Sequence, residues 1–512
     1  MTSIRVERHA VTDTPVLRWW HQRGVASGLW GSVLISIAVL TPGFVPNEIL
    51  DTITPLRWVR RVLGWQVGRV LMIVGLVLLF RGWVLLRPVT HRHGLRLYAG
   101  VLALWSLPML AAPPIFSSDA FLYADQGWII HLGHDPYASP LGGMGGPFAE
   151  NVHQVWRGTT AVYPPLALLV QYVVAWSTHF HPYWSVVAMR VPAVAAVAVM
   201  AWAVPRLARA FGADARVAMW VGVLNPLVLI HFVGGAHNDA WMVACLTVAM
   251  LAAKRWGWGG LVVGAALVGV GAAFKQPGII AFIAVGLVPV ASRLGGLTLG
   301  RRIGLMCVAV GLAGLVTGGT FVGVSLATFG FGWRRATDIG TLTWGMSPAS
   351  VVEQIIGPFV RLWTPYPLLP ALATVFTVCA LVAVAWLAWF HFFADKLWSD
   401  RAPRGSAAFD ADFTRRPVRW LIGALFAVAF SGAGFHTWYL IWGGSMFGVV
   451  PRTDRVLRWA VAVCIMAVVV QGGLEFYALW PIPGWLLGAV LGWIFLARSR
   501  HLRVCPRSQE WS

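Results

Sequence analysis

Residues 117–140, with the sequence SSDAFLYADQGWIIHLGHDPYASP, gather side chains that can transfer protons or bind polar ligands, in a chain with only 19 acidic residues. If this stretch is helical, Asp119, Tyr123 and Gln126 fall at i, i+4 and i+7 and share one face. A carboxylate beside a hydroxyl and an amide can accept a proton or hold a polar ligand. Because Ser-Ser-Asp is also typical of a helix N-cap, both interpretations of Asp119 stay open.

Two further polar motifs each contain a glycine. GHDPY (133–137) has the residue types of a turn, so Asp135 either fixes that turn or faces a ligand. GGAHNDAWM (234–242) places His237, Asn238 and Asp239 between two apolar runs. One interpretation is a tight hairpin in which Asn238 or Asp239 caps the next helix; the other is a polar wall of a binding site.

A lysine and an aromatic segment complete the set. Lys275 is flanked by apolar residues in AAFKQPGII, and His436 and Tyr439 lie in GFHTWYLIW. Such a lysine either extends its amine to the membrane interface or supplies a positive charge for a phosphate. Trp and Tyr near a membrane surface usually form an aromatic belt, although aromatic faces also bind sugars.

Several classes of function lack support in the sequence. The five cysteines have neither disulfide nor metal-site spacing, and His237 with Asp239 is too small a set for a tightly bound metal. No firm cofactor is predicted, although a loosely held divalent cation is compatible with these residues. No Walker A loop or dinucleotide-binding glycine pattern occurs. The net charge of +20 lies in short clusters beside apolar runs, which indicates membrane orientation rather than a nucleic-acid partner.

The elements that must position these residues are membrane helices. Hydrophobic residues make up 58% of the 512 residues and charged ones 11%, and the mean hydropathy is +0.71. Apolar runs long enough to cross a bilayer recur along the chain, and they are continuous rather than alternating, which favours helices over a β-barrel. The sequence therefore predicts an all-α, polytopic transmembrane protein.

The orientation follows from the basic clusters, because short loops rich in Lys and Arg stay in the cytoplasm. We predict about 14 crossings, within a range of about 13–15, of a plasma membrane, with both termini cytoplasmic. The predicted parts are a tail at 1–25, one transmembrane domain at 26–498 and a tail at 499–512. Within that domain, 113–183 form an extracytoplasmic loop and 394–419 a cytoplasmic loop.

The predicted spans are 26–45, 62–80, 97–112, 184–204, 217–236, 239–254, 258–274, 277–292, 303–327, 366–392, 420–435, 438–451, 459–478 and 482–497. Residues 160–177 are also apolar enough to cross, but a crossing there would reverse the charge pattern, so we predict a re-entrant or outer-surface segment. Arg57, Arg60 and Arg61 fall outside against the charge rule, and we place them on a short interfacial helix with Trp58 and Trp65.

This topology brings the unusual polar residues to one side of the membrane. Asp119, Asp135, residues 237–239, Lys275 and His436 all lie at outer ends of predicted spans. The orientation was assigned from the basic clusters and not from these residues. Lys275 is a basic residue on the predicted outer side and is therefore an exception to the charge rule. Since ionisable groups at membrane depth are costly and usually functional, the sequence predicts one outward-facing cavity.

Six stretches together resemble the polyprenol-phosphomannose-dependent α-1,6-mannopyranosyltransferases of actinobacteria, within the GT-C membrane glycosyltransferases. They are SSDAFLYADQG, GHDPYASP, VYPPLALL, LNPLVLIHFVGGAHNDAWMVA, AAFKQPGIIAF and FHTWYLIW. The resemblance implies a GT-C-type fold with a large first extracytoplasmic loop. It also implies an inverting transfer of mannose from a polyprenyl phosphomannose lipid to a growing α-1,6-mannan of the lipomannan or lipoarabinomannan type.

The resemblance further implies roles for the polar residues. The family's catalytic aspartate lies in the first large outer loop just after a span, so Asp119 would be the general base. Lys275 would stabilise the departing phosphate. The other substrate-binding residues implied are Tyr123, Gln126, Asp135, Tyr137, His237, Asn238, Asp239, His436 and Tyr439.

Two alternatives stay open. A related GT-C enzyme could use another polyprenyl-phosphate sugar, because a few pocket contacts set sugar identity. A polyprenyl-linked glycan transporter or flippase would also have many spans and broken helices. The polar residues gather on one face rather than in mid-span, and we find no inverted repeat, so the sequence favours the enzyme.

Overall fold

The structure is a computed structural model, and it describes residues 22–42, 44, 53–89, 94–334, 346–394, 407–432, 434–477 and 481–504. Most of the predicted N-terminal tail at 1–25, residues 395–406 of the predicted cytoplasmic loop and residues 505–512 of the predicted C-terminal tail lie outside these ranges.

The described part of the chain contains nineteen α-helices and no strand, so the predicted all-α fold is confirmed. Short 3-10 segments and one π-helix, Val228–Gly234, connect some of them. The α-helices are α1 (Arg23–Ala38), α2 (Thr54–Val62), α3 (Trp65–Leu85), α4 (Leu95–Ser106), α5 (Asp119–His131), α6 (Pro165–Ser177), α7 (Trp184–Ala188), α8 (Arg190–Ala210), α9 (Ala215–Gly222), α10 (Asp239–Ala272), α11 (Ala281–Leu287), α12 (Ala291–Leu294), α13 (Leu299–Leu326), α14 (Pro348–Val360), α15 (Leu369–Phe392), α16 (Ala407–Ala429), α17 (Leu440–Gly444), α18 (Asp454–Tyr477) and α19 (Pro481–Arg498).

Among the described residues, five helices are long and apolar enough to cross a membrane: Trp65–Leu85, Trp184–Ala210, Leu299–Leu326, Leu369–Phe392 and Asp454–Gly473. Further apolar helices of 10–17 residues are Arg23–Ala38, Leu95–Met109, Pro165–Ser177, Gln276–Leu287 and Ile482–Arg498. The polytopic membrane character is confirmed, and the number of crossings stays a prediction.

The spans predicted at 239–254 and 258–274 are the two arms of a hairpin within α10. Gly257 has φ 57° and ψ −128°, a backbone conformation that L side chains rarely adopt, and the chain reverses there. A Cβ on Gly260 would lie 2.0 Å from the carbonyl oxygen of Ala252, so the two arms touch through their backbones. The hairpin returns the chain to its starting end, and Lys275 therefore lies near Asp239.

Two other predicted spans are interrupted. Residues 217–236 form α9, then a break, then the π-helix Val228–Gly234. Pro226 accounts for the break, because it has no N–H to donate to the carbonyl of Gly222, where α9 ends. The Asn225 side chain stabilises the break, since its nitrogen donates to the Val221 carbonyl (2.8 Å) and its oxygen accepts from the Val228 N–H (3.0 Å). Residues 438–451 likewise divide into three short helical pieces. Broken helices of this kind often surround functional sites in membrane proteins.

The apolar segment 160–177 forms a helix too short to cross a bilayer. α6 has 13 residues, or about 20 Å at the usual rise, against a hydrocarbon core of about 30 Å. The N–H of Leu166 donates to the carbonyl of Ala273 at 3.2 Å, which ties the start of α6 to the end of α10. Its predicted placement as a re-entrant or outer-surface segment stays a prediction.

A second apolar cluster, separate from the core of the main bundle, holds the elements around α5. It includes Phe121, Leu168 and Val186, and Leu40 and Leu56 pack against it. The cluster therefore lies at the end of the bundle where α1 ends and α3 begins. α2, which contains the predicted interfacial arginines and Trp58, lies at the same end, whereas Trp65 is not part of this helix but begins α3 after a break at residues 63–64.

Two segments predicted as loops are partly helical. α14 lies between the spans predicted at 303–327 and 366–392. α16 begins inside the predicted cytoplasmic loop at 394–419. Its first turns are charged, and Arg416 pairs with Asp412 at i+4, which supports a helix that hydropathy does not detect.

Candidate active site

Asp119 is the first residue of α5, and its side chain contacts two other segments. Its Oδ2 lies 3.5 Å from the Tyr163 hydroxyl and 3.5 Å from Nδ1 of His237. Its backbone N–H donates to Oγ of Ser117 at 3.1 Å, and Ser118 at the N-cap makes no side-chain capping bond. The Asp119 carboxylate therefore accepts a hydrogen bond from Tyr163 and faces His237, and it does not act as the helix cap.

The surroundings of Asp119 raise its pKa without preventing its ionisation at neutral pH. Burial raises the pKa of Asp119 to about 6. The positive charge of Lys275 lowers this pKa, the negative charge of Asp239 raises it, and hydrogen bonds to Ser117 and Tyr163 lower it again. A carboxyl group with this pKa is mostly ionised at neutral pH and is still basic enough to take up a proton.

A buried arginine fixes the corner that carries His237. Arg190, at the start of α8, donates from Nη2 to the carbonyls of Gly234 and Pro113, both at 2.8 Å, and from Nε to that of Val233 at 3.1 Å. Ala236 then adopts φ 58°, which is uncommon for a residue with a side chain. The hydrogen bonds of Arg190 and the turn at Ala236 end the π-helix and direct His237 toward Asp119.

His237 is fully buried and stacks on an aromatic ring. Its ring centroid lies 3.9 Å from that of Trp438, and the ring of Trp438 also stacks with that of His436 at 4.2 Å. Burial lowers the pKa of His237, and neighbouring histidines and Lys275 lower it further, so the ring is neutral at pH 7. A neutral ring that carries its proton on Nδ1 can donate to Asp119.

Lys275 and Asp239 form the second charged pair of the site. The Lys275 Nζ lies 3.5 Å from Oδ2 of Asp239, whose Oδ1 accepts from Nε1 of Trp442 at 2.8 Å. The same ammonium lies 5.0 Å from the ring centre of Tyr163 and 5.2 Å from that of Tyr439. Burial opposes the charge on Lys275, but Asp239 and the two tyrosines outweigh burial and keep its pKa above the ordinary value.

Exposure separates the four central side chains into two classes. The side chains of Asp119 and Lys275 are 12% and 13% exposed, whereas those of Asp239 and His237 are 1% and 0% exposed. A ligand can therefore reach Asp119 and Lys275, while the buried side chains of His237 and Asp239 contact them from the protein interior. The reachable pair offers one proton acceptor and one positive charge.

The remaining predicted residues of α5 and the corner lie beside this pair. The Tyr123 hydroxyl donates to Oδ1 of Asn238 at 3.4 Å, and its ring meets Tyr163 edge to face at 5.3 Å. Asn238 precedes α10 without a side-chain capping bond, so the capping interpretation fails here too. Gln126 is fully buried, and its amide finds no hydrogen-bond partner among the described residues.

Asp135 and Tyr137 reach the site only through Tyr163. Asp135 is exposed, and its Oδ1 accepts the N–H of Tyr137 at 2.8 Å, as expected for a turn. The buried Tyr137 then donates its hydroxyl to the carbonyl of Tyr163 at 3.0 Å. These two residues therefore fix the backbone of Tyr163 and, through it, the hydroxyl that faces Asp119.

Sequence reasoning did not single out Tyr163, Trp438 or Trp442. Tyr163 lies 44 positions after Asp119, and Trp442 lies 203 positions after Asp239. No local pattern connects residues at such distances. A tyrosine before two prolines in an outer loop, as in VYPPL, was the one available signal for Tyr163.

No group of three or more His, Cys, Asp or Glu side chains that could hold a metal occurs in the part of the chain that the structure describes. The fold and the site thus define a polytopic membrane protein with a partly accessible acid–lysine site among its broken helices. The family model described as alpha-(1->6)-mannopyranosyltransferase, N-terminal domain, matches residues 25–291. The chain belongs to this family. The match includes Asp119, Tyr163, Asp239 and Lys275 and ends before residues 436–442.

Individual relatives agree with the family. The chain is 33% identical over 236 residues to alpha-(1->6)-mannopyranosyltransferase A of Mycobacterium tuberculosis, covering 44% of each protein. It is 34% identical over 177 residues to the protein of that name from Corynebacterium glutamicum, covering 34% of this chain and 35% of the relative. It is 29% identical over 382 residues to a probable alpha-(1->6)-mannopyranosyltransferase of Mycolicibacterium smegmatis, covering 68% and 64%. The chain thus spans less than half of the first two relatives.

Proposed function

We propose that this chain is an inverting α-(1→6)-mannosyltransferase of the plasma membrane. Its donor is a polyprenyl phosphomannose lipid, and its acceptor is a growing α-1,6-mannan that it extends on the extracytoplasmic face. Family membership supports the sugar and the linkage. The observation that carries the chemistry is the pair of partly exposed charges, Asp119 and Lys275, held in an otherwise buried polar cluster.

Asp119 is the general base of this reaction. The 6-hydroxyl oxygen of the acceptor attacks C1 of the donor mannose, the bond from C1 to the phosphate oxygen breaks, and the hydroxyl proton passes to Asp119. The Tyr163 hydroxyl and Nδ1 of His237 both face Oδ2 at 3.5 Å, and we assign Oδ1 to the acceptor. Its pKa of about 6 suits a base that works near neutral pH.

Lys275 stabilises the polyprenyl phosphate as it leaves with the electron pair of the broken bond. Asp239 and the rings of Tyr163 and Tyr439 hold the ammonium in place without the donor, so little reorganisation is needed during the reaction. Positioning, a base and a fixed positive charge suffice because a phosphate is already a good leaving group. The mechanism therefore uses no firmly bound cofactor, and chelation by EDTA tests whether a loosely held divalent cation contributes.

The other polar residues shape the sugar and phosphate pockets. Tyr439 lies beside Lys275 and the His436 ring lies beside Tyr439, while Tyr123 contacts Asn238 and Tyr163 near Asp119. We assign Gln126 to the same pocket because it lies on the same helix as Asp119 and its buried amide is unpartnered among the described residues. Asp135 and Tyr137 act indirectly by fixing Tyr163. Multi-pass insertion with both termini in the cytoplasm would place this site on the outer face.

The test uses membranes from a host without this activity, supplied with radiolabelled polyprenyl phosphomannose and short α-1,6-mannose acceptors. Transfer to the acceptor, with an α-1,6 linkage in the product, is the expected result. A parallel reaction receives polyprenyl-phosphate glucose or arabinose. Transfer from one of those donors alone would replace mannose by that sugar, and lipid-linked glycan movement without any transfer would replace the enzyme by a transporter.

A further inference from the structure

The segment that follows α10 is joined at two points to the segment that precedes α6. The amide nitrogen of Gln276 donates to the carbonyl of Val162 at 3.1 Å. The carbonyl of Ala273 accepts from the N–H groups of Leu166 at 3.2 Å and Ala167 at 3.4 Å. Both segments also carry residues of the candidate active site.

Tyr163 and Lys275 lie between these two points and face each other. The Lys275 ammonium is 5.0 Å from the ring centre of Tyr163. Tyr163 is followed by Pro164 and Pro165, whose rings fix their φ angles and restrict the residue before each of them, so this stretch is stiff. A displacement of the stretch therefore moves the Tyr163 hydroxyl relative to Asp119 and the Tyr163 ring relative to Lys275 at the same time.

The bond from Gln276 is the one that a substitution can remove, because the bonds to Ala273 join backbone groups. Gln276 is partly buried and begins a short 3-10 helix, Gln276–Ile280. A carbonyl oxygen can only accept a hydrogen bond, so the nitrogen of the Gln276 amide must face Val162. A side chain without a donor at position 276 would release the residue next to Tyr163.

Both residues between the two points act on the protonation of Asp119. Burial raises the pKa of Asp119 to about 6, whereas the charge of Lys275 and the hydrogen bond from Tyr163 lower it. If these two residues move away, both changes raise the pKa of Asp119. The titratable groups around this carboxylate are Tyr163, His237, Asp239 and Lys275, together with Tyr123 on its own helix.

We infer that Gln276 is a positioning residue that holds Tyr163 and Lys275 in place beside Asp119. The inference rests on the proposed function, because it gives Gln276 a role in mannosyl transfer. The Gln276 amide connects the segment that carries the positive charge for the leaving phosphate with the segment that contacts the base. A residue that only stabilised the fold would change the unfolding temperature and leave the protonation of Asp119 unchanged.

Initial-rate kinetics of Gln276→Met test this role, because methionine is close to glutamine in length and lacks the amide. We expect kcat at pH 7 to fall about tenfold, since small displacements of positioned groups are costly for the rate. Both KM values should change by less than about threefold, because the amide faces the protein backbone. Gln354→Met is the matched control, since Gln354 is also partly buried and lies on α14, and it should change none of these values.

The pH profile separates positioning from a purely structural role. In Gln276→Met the acid limb of the profile should move to higher pH by about half a unit. Combined with Tyr163→Phe, the shift should be smaller than the sum of the two separate shifts, because both changes act through the same hydroxyl. Additive shifts would overturn the inference.

Carbodiimide labelling separates this inference from the proposed function. N,N′-dicyclohexylcarbodiimide reacts with protonated carboxyl groups, so labelling of Asp119, located by mass spectrometry of the detergent-solubilised full chain, reports its protonation without any donor. The pH midpoint of labelling should rise in Gln276→Met and stay unchanged in Gln354→Met, even if no transfer is found with the proposed donor. Gln276→Asn, whose amide is one methylene shorter, should shift the midpoint in the same direction and keeps a polar side chain for folding. An unchanged midpoint in both Gln276 variants would overturn the inference, whatever their thermal stability.

Discussion

Where α1 packs against α3, glycine residues bring the backbones of the two helices into direct contact. A Cβ on Gly31 would lie 2.6 Å from the backbone nitrogen of Leu79 and 2.7 Å from the carbonyl oxygen of Gly75. Around Asp119 the opposite holds, because helices end or break and side chains from distant segments fill the space between them. The first region uses small residues for close helix packing, as membrane helices commonly do, and the second uses irregular backbone to gather charges.

This contrast indicates that one region of the molecule is structural and the other is functional. Regular helix pairs give the bundle its shape with side chains that carry no chemistry. The breaks at Asn225, Ala236 and Lys275 let polar residues meet at one end of the bundle without a charge in the middle of a span. Changes in the first region should affect stability, and changes in the second should affect transfer.

The largest effect is expected for Asp119→Asn. Asparagine keeps the shape of the side chain and can accept from Tyr163, but it cannot take up the acceptor proton. Transfer should fall by about 10²–10⁴-fold, the usual contribution of a general base, at unchanged expression and thermal stability. Initial rates with saturating donor measure this, and a rate within tenfold of the unmodified protein would remove Asp119 from the base role.

Lys275→Gln should affect both stability and transfer. It leaves the Asp239 carboxylate buried without its counter-charge, which costs about 3–5 kcal/mol of stability. Adding Asp239→Asn should restore most of the thermal stability, because no unpaired charge then remains. The double variant should still transfer about 10²-fold more slowly, since the leaving phosphate has lost its partner. Recovery of transfer in the double variant would show that Lys275 is only structural.

Gly31→Ala should separate packing from chemistry. The added methyl collides with the α3 backbone and should cost about 1–3 kcal/mol of stability, seen as a lower thermal unfolding midpoint. KM and kcat per folded molecule should stay unchanged. Gly304→Ala in α13 is the control, because nothing lies within 4 Å of the new methyl. Equal destabilisation by both changes would contradict the close-packing account.

The smallest effect is expected for Tyr163→Phe. The ring stays beside Lys275, but the hydroxyl that lowers the pKa of Asp119 is lost, so that pKa should rise. Transfer at pH 7 should fall about twofold to fivefold, and the acid limb of the pH profile should move to higher pH. Tyr366→Phe, at an exposed position, should change neither. An unshifted pH profile would mean that Tyr163 does not hydrogen-bond to the ionised, active form of Asp119.

The helices and several site residues could be predicted from the sequence because the signals are local. Hydropathy and basic clusters found the two arms of α10 and the membrane character, and helical spacing linked Asp119 to Tyr123. Rare acids in an apolar chain pointed to Asp119 and Asp239. Each of these signals lies within a short window of sequence.

The breaks and the long-range contacts could not be predicted in the same way. Residues 217–236 are mostly apolar, so hydropathy alone predicts one continuous span, and the Asn-Pro pair at 225–226 was the local signal for the break. The contacts of Tyr163 with Asp119 and of Trp442 with Asp239 depend on how distant segments pack. The sequence around Asp135 predicted a turn. It did not predict that Asp135 is connected to Tyr163 through Tyr137.

The pH dependence of single-turnover transfer tests the central claim most directly, because it reports the protonation of the base apart from product release. The ionised form of Asp119 is the active one, so the rate should rise with pH, be half-maximal near pH 6 and level off above about pH 7. At pH 5 it should be about tenfold lower than at pH 8. A rate that is flat between pH 5 and pH 8 would contradict the assignment of Asp119 as the proton acceptor.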